Sequence, residues 1–428
     1  MLPLNLSTTL RTTLVLLLLC YGTVIFTVRG VARGARDSSD FATLFSATRA
    51  WVHGANPYDH ANVIHEWHAA GGDDEAIPNK RATPSVYPPT TFLVLYPWAL
   101  VSWPHARVIW LVVSAGSIVF TLVSLLYTCS PRLPVARVLG FLGLSLALYP
   151  LSSGISKGNP GVLATSLITL SVTLAPIRRE FVGGVLLALA LAVKPQLAAL
   201  FFVYHLVERR WCLVATATAI FLAIAIIAIA RTERINAAWK TDWLANVHAT
   251  TEAGGINDIT GANPYRFQAI NLSVLTQAIT GSPPVANALA IALSVLALLA
   301  LLFLYRVGDR PDRHWLFAGA LAVFCLLPVY HRFYDACLLI LPLYWSFFHA
   351  ASPSNSATRI SPAVLLILPF VVPGAVLLSN FVDTHRASSS LTAGYWWNAF
   401  VMPHQIWALV ALYAYLLWRL GHTEGSPL

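Results

Sequence analysis

Arg178-Arg179-Glu180, then FVGGVLLALALAVKPQLAALFFVYHLV over residues 181–207, then Glu208-Arg209-Arg210, is the stretch whose reading decides the fold. Its 27 inner residues are apolar except for Lys194-Pro195-Gln196 at the centre. Arginine pairs that flank apolar runs tend to stay in the cytoplasm. With one pair at each end, the segment is predicted to enter and return as a helical hairpin. Each arm of about 12 residues rises ~18 Å, short of the ~30 Å hydrocarbon core. The Lys-Pro-Gln apex is therefore expected at membrane depth, in a cavity lined by other helices. A lysine at the centre of a membrane helix costs about 2.5–3.5 kcal/mol on insertion scales, so something must offset it. A carboxylate on another helix is one possibility, and an anionic ligand such as a lipid phosphate is the other.

Working outward, the same apolar character runs through all 428 residues, 57% hydrophobic and 11% charged, against roughly a quarter charged in soluble domains. Mean hydropathy is +0.67. A water-soluble protein is excluded, and a single all-α polytopic membrane domain over 1–428 is expected. Spans are expected at 12–28, 106–128, 136–152, 160–176, 212–230, 284–305, 314–329, 335–350, 359–379 and 403–419, near the ~20 residues a crossing needs. The proline-bounded stretch from Tyr87-Pro88-Pro89 to Trp103-Pro104 is expected to be re-entrant or interfacial, because counting it as a crossing would invert everything after it. With the hairpin, this gives about twelve helices and both termini inside.

The net charge of +9 sits in short pieces between apolar runs, such as Arg306 to Arg313, and not in a run of like charges. Nucleic acid is excluded as a partner, and membrane lipids are expected. With this topology the outer segments 29–104 and 231–283 carry 10 basic and 11 acidic residues, against 12 and 5 inside, a positive-inside bias. Trp103, Trp211, Trp315 and Trp418 lie near expected helix ends, as in an interfacial aromatic belt. Five cysteines fall in or beside apolar runs with no paired spacing, so neither a disulfide framework nor a metal centre is expected. Asp73-Asp74-Glu75 lies in a glycine- and proline-bounded loop and is expected to be solvated.

The polar residues at the membrane boundary are the informative ones. After Arg36-Asp37-Ser38-Ser39-Asp40 come Phe41, Leu44, Phe45, Thr48, Trp51 and Val52 at helical spacing, predicting an amphipathic helix in the interface. Asp40 or Ser39 is its N-cap, or Asp40 is a base at the lip of a cavity, and both roles are compatible. His331-Arg332-Phe333-Tyr334-Asp335 lies between two apolar runs, with His331 and Asp335 spaced to pair on one helix face. Nothing completes that pair into a metal site. No phosphate-binding glycine loop, dinucleotide fingerprint or nucleophile elbow is present.

The order Ser39-Asp40-Phe41, Ala47, Gly54, Asn56-Pro57-Tyr58-Asp59, Tyr87-Pro88-Pro89, and Gly184 through Ala190 leading into Lys194-Pro195-Gln196 resembles glycosyltransferase family 87. The resemblance runs from about 36 to 340. It implies a GT-C membrane enzyme with a large first extracytoplasmic loop, taking a sugar, typically mannose, from a polyprenyl phosphate. It also implies a glycolipid or glycan acceptor, no cofactor, and a bacterial inner membrane with the active site on the extracytoplasmic side. The acidic residue that opens the first outer loop is the family's catalytic base and maps onto Asp40, with Asp37 three residues away as the alternative. Lys194, His331 and Arg332 are the expected phosphate-binding groups. Asp37, Tyr58, Tyr87, Gln196, Asn271 and Asp335 are further candidates for substrate contact.

The chemistry is consistent with one carboxylate. Glycosidases need two, one of them to protonate a poor leaving group. A polyprenyl phosphate leaves as a stabilised anion, so one base and nearby cations suffice for a single displacement with inversion. A transporter or flippase using Asp40, Lys194 and His331 is the rival class, disfavoured by the absence of internal repeats.

Overall fold

The computed structural model describes residues 8–73, 85–129, 134–307, 312–350, 361–385 and 394–422. Most of the acidic loop after Asp73 and part of the Arg306 to Arg313 piece lie outside them. The described residues are helical throughout apart from turns and one isolated bridge. Among the described residues four helices, Thr9–Ala32, Trp103–Tyr127, Trp211–Ile235 and Pro283–Val307, are long and apolar enough to cross a membrane. At most 39% of each is buried in the protein, so side chains such as Val112, Phe120, Ile226, Ile291 and Phe303 face outward. Exposed apolar side chains on this scale need a lipid solvent.

The other expected crossings form shorter helices. The 359–379 stretch breaks into Pro362–Ile367, a 3₁₀ turn at Leu368–Val371 and Ala375–His385. Proline explains this break, since Pro369 and Pro373 each lack the N–H that an uninterrupted helix needs. The 335–350 stretch likewise begins as a 3₁₀ helix, Phe333–Leu339, before Ile340–Phe348.

The chain divides into two compact units, one of residues 27–128 and 152–255 and the other of 1–26, 129–151 and 256–428. In the first unit the predicted hairpin is present as Glu180–Val193 and Pro195–Val207, joined at Lys194. Arg210 Nη1 lies 3.3 Å from Glu180 Oε1, so the two ends of the segment meet. Gly183 and Gly184 let the first arm approach Trp211–Ile235 closely, because a Cβ on Gly184 would lie 2.6 Å from the Leu213 carbonyl oxygen. In a cysteine-free background, cysteines introduced at 179 and 209 are therefore expected to react alike with an impermeant thiol reagent applied to intact cells. Labelling of one without the other would turn 181–207 into a single crossing.

The 87–104 stretch meets the hairpin near its break. Pro89–Val94 is buried over Pro89 to Phe92, and the hydroxyls of Thr90 and Thr91 donate to the Ala192 carbonyl at 2.8 and 3.0 Å. These bonds satisfy a carbonyl orphaned where the hairpin helix stops. The Ser39–Val52 helix departs from expectation, because it is buried on nearly all sides and not along one face. Its hydroxyls tolerate burial because Ser46 and Thr48 donate to the carbonyls of Ala42 and Leu44 within the same helix. Of the four tryptophans expected in a belt, Trp211 and Trp418 are exposed, whereas Trp103 and Trp315 belong to the core.

In the second unit, Leu272–Thr280 packs on Pro283–Val307, and Arg313–Cys325 packs on Ile340–Phe348 and on His404–Gly421. An antiparallel bridge joins Ala269 to Arg332, and the Ile270 N–H donates to the His331 carbonyl at 3.0 Å.

Candidate functional site

The site in the first unit is built on two chain segments that meet at the start of the Ser39–Val52 helix. Ser38 is the N-cap and holds a left-handed backbone, φ 47°, uncommon for a residue with a Cβ. Two bonds hold it there: its N–H donates to the Ser156 carbonyl at 2.9 Å, and its hydroxyl donates to the Gly34 carbonyl at 2.6 Å. Asp40 is thus not the cap. It stands one position inside the helix and is half-buried.

Opposite it runs Lys157-Gly158-Asn159-Pro160. Gly158 has φ 65°, and a Cβ there would meet the Cβ of Phe41 at 2.7 Å, so the turn requires glycine. Phe41 stacks on Trp110 with centroids 4.6 Å apart, and Trp110 Nε1 donates to the Gly158 carbonyl at 2.9 Å. One aromatic pair thereby fixes the neighbours in sequence of both Asp40 and Asn159.

Asn159 is buried, 2% exposed, and its side chain joins the two groups singled out in the sequence. Its Nδ2 donates to Asp40 Oδ2 at 2.7 Å, and its Oδ1 accepts from Lys194 Nζ at 3.2 Å. The same Oδ1 accepts from the Gly161 N–H at 2.8 Å. Lys194 is itself buried, 5% exposed, with a broken backbone (φ −149°, ψ 75°) between the hairpin arms. The lysine and the aspartate, 154 positions apart by number, thus belong to one hydrogen-bonded chain.

Asp37 stands elsewhere in this network. Its carboxylate accepts from Lys157 Nζ at 2.9 Å and lies 3.7 Å from Arg33 Nε. Tyr58 is buried, which pushes its phenol pKa up and keeps it a neutral donor, and its hydroxyl donates to the Tyr87 carbonyl at 3.0 Å. That bond ties the segment after the Ser39–Val52 helix to the 87–104 stretch. Gln196 is exposed two residues beyond the hairpin break at Lys194.

The remaining candidates lie in the second unit. His331 Nδ1 is 3.0 Å from Asp335 Oδ2, both side chains are buried, and His331 Nε2 has no partner among the described residues. Arg332 donates to the Tyr330 hydroxyl at 2.7 Å and to Gln268 Oε1 at 3.3 Å. Asn271 is the N-cap of Leu272–Thr280 and accepts from the Val274 N–H at 3.0 Å. Gly281, φ 70°, ends that helix.

Sequence reasoning missed Asn159. The signal available was a polar, helix-breaking Lys157-Gly158-Asn159-Pro160 inside an otherwise apolar stretch.

Crossing helices with outward apolar faces, together with a buried carboxylate, amide and lysine in contact, define a membrane protein with an internal polar site. More specifically, residues 86–330 match glycosyltransferase family 87, and the chain belongs to that family. It is a membrane glycosyltransferase. The matched residues include Asn159 and Lys194 and end one residue before His331, while Asp40 precedes them. Neither a curated protein nor a solved structure matches the chain.

Proposed function

We propose that the protein is an inverting transferase of the GT-C type that moves a hexose, mannose, from a polyprenyl-phosphate sugar to a glycolipid or glycan acceptor. The proposed topology has about twelve helices and both termini inside a bacterial inner membrane, with the active site on the extracytoplasmic side. Asp40 takes the proton of the acceptor hydroxyl as its oxygen bonds to the anomeric carbon. The bond from that carbon to the phosphate oxygen breaks with its electron pair, and polyprenyl phosphate departs. Lys194 carries the charge that stabilises this anion. A β-linked donor then gives an α-linked product.

The observation that carries this proposal is the chain from Asp40 through Asn159 to Lys194. A base and a cation are held at its two ends, as a displacement of phosphate requires. Asp37 suits the role of base less well because Lys157 and Arg33 already neutralise it. Family membership disfavours the transporter reading. The direct test is to incubate purified protein with polyprenyl-phosphate mannose and membrane glycolipid extract and to measure polyprenyl phosphate release. Release with polyprenyl-phosphate pentose but not mannose would refute the hexose assignment.

A further inference from the structure

An amide shared by an acid and a lysine is an unusual way to place two opposite charges. Asn159 is rigid by every local measure: it is buried, sits between Gly158 and Pro160, and has both ends of its amide engaged. Its orientation is fixed by its partners. The Gly161 N–H and the lysine ammonium can only donate, so Oδ1 must face them, and Nδ2 then has to face the carboxylate. A flipped amide would set donor against donor on one side and oxygen against oxygen on the other.

We infer that Asn159 is a positioning residue for the transfer reaction: its amide holds the base Asp40 and the cation Lys194 in fixed relation, giving each a hydrogen bond. The inference rests on the roles proposed above for those two residues. With this arrangement the carboxylate receives a neutral donor and stays available to a hydroxyl. The ammonium meets a neutral oxygen at Asn159, one that does not compete with a phosphate for its charge as a carboxylate would.

The other charged groups facing this point come from the same packed segments. Asp37 is occupied by Lys157 and Arg33, and Arg107 donates to the Arg36 carbonyl at 3.4 Å. None of these bonds runs to the Asp40 carboxylate, whereas Asn159 Nδ2 donates to it directly.

Asn159→Asp tests this without changing size. A second carboxylate at hydrogen-bond distance from Asp40 forces the pair to share a proton, so one of the two ionises only at higher pH. It also sets a carboxylate beside Lys194 that competes with a phosphate for the ammonium. The expected result is that the acidic limb of the kcat/KM profile moves up by about one pH unit or more. In addition, KM for the polyprenyl-phosphate sugar should rise at least tenfold. Asn159→Ser, which removes the amide without adding charge, should lower kcat while leaving donor KM within about threefold, as for a lost transition-state contact.

A uniform loss of activity in Asn159→Asp with an unmoved limb and unchanged donor KM overturns the positioning role and makes Asn159 purely structural. The failure of the base assignment itself looks different, since Asp40→Asn would then keep wild-type turnover. If Asn159→Asp does not fold, Asn159→Ser decides. Unchanged kcat there overturns the inference, and reduced kcat with unchanged donor KM supports it.

Discussion

Asp40→Asn is expected to lower turnover by about 10² or more while leaving folding and donor binding close to wild type, the loss general-base help typically represents. The substitution is isosteric, and the new side-chain oxygen can still accept from Asn159 Nδ2, which now lies 2.7 Å from the carboxylate. Ser38, Phe41 and Trp110, which hold the start of the helix, are untouched. What disappears is the capacity to take a proton. Asp37→Asn should instead release Lys157 and Arg33 from their shared partner, lowering thermal stability with turnover within a fewfold of wild type. Turnover at saturating donor, measured beside thermal unfolding for both variants, separates these outcomes. Full activity in Asp40→Asn with a dead Asp37→Asn would move the base by three residues.

How much of this was legible in the sequence depends on which physical signal each part emits. The hairpin was legible because arginine pairs at both ends and a lysine-proline break at the middle are one-dimensional features. The meeting of Glu180 with Arg210 follows from them. Lys194 was legible because an ammonium inside 27 apolar residues carries an energetic cost that demands an explanation. Asn159 emits no comparable signal. An amide is neutral, its cost in an apolar setting vanishes once hydrogen-bonded, and its partners lie 119 and 35 positions away.

Only part of the expected span count appears as long unbroken helices among the described residues, for a related reason. Hydropathy sums over a window and does not register where a chain bends, so the 359–379 and 335–350 stretches scored as crossings although they contain helix breaks. Likewise the Ser39–Val52 helix read as amphipathic because Ser46, opposite the stripe from Phe41 to Val52, counts as polar. Once that hydroxyl bonds its own helix, that side buries as readily as the other.

Lys194→Gln is expected to abolish the thermal stabilisation that polyprenyl phosphate gives the wild type and to cut kcat/KM by about 10². A ligand at a hundred times its Kd stabilises the folded state by about 2.7 kcal/mol, so the lost response is large enough to read directly. The argument turns on burial. At 5% exposure the ammonium sits where screening by water is weak, and a phosphate placed there gains far more than it would from a surface lysine. Glutamine can still donate to Asn159 Oδ1, so the amide chain to Asp40 persists and the loss is specific to charge. A Lys194→Gln protein that loses stability without lipid yet keeps the full lipid response would make Lys194 a structural cation. The donor phosphate would then have to be sought at His331 Nε2, the buried ring nitrogen with no described partner.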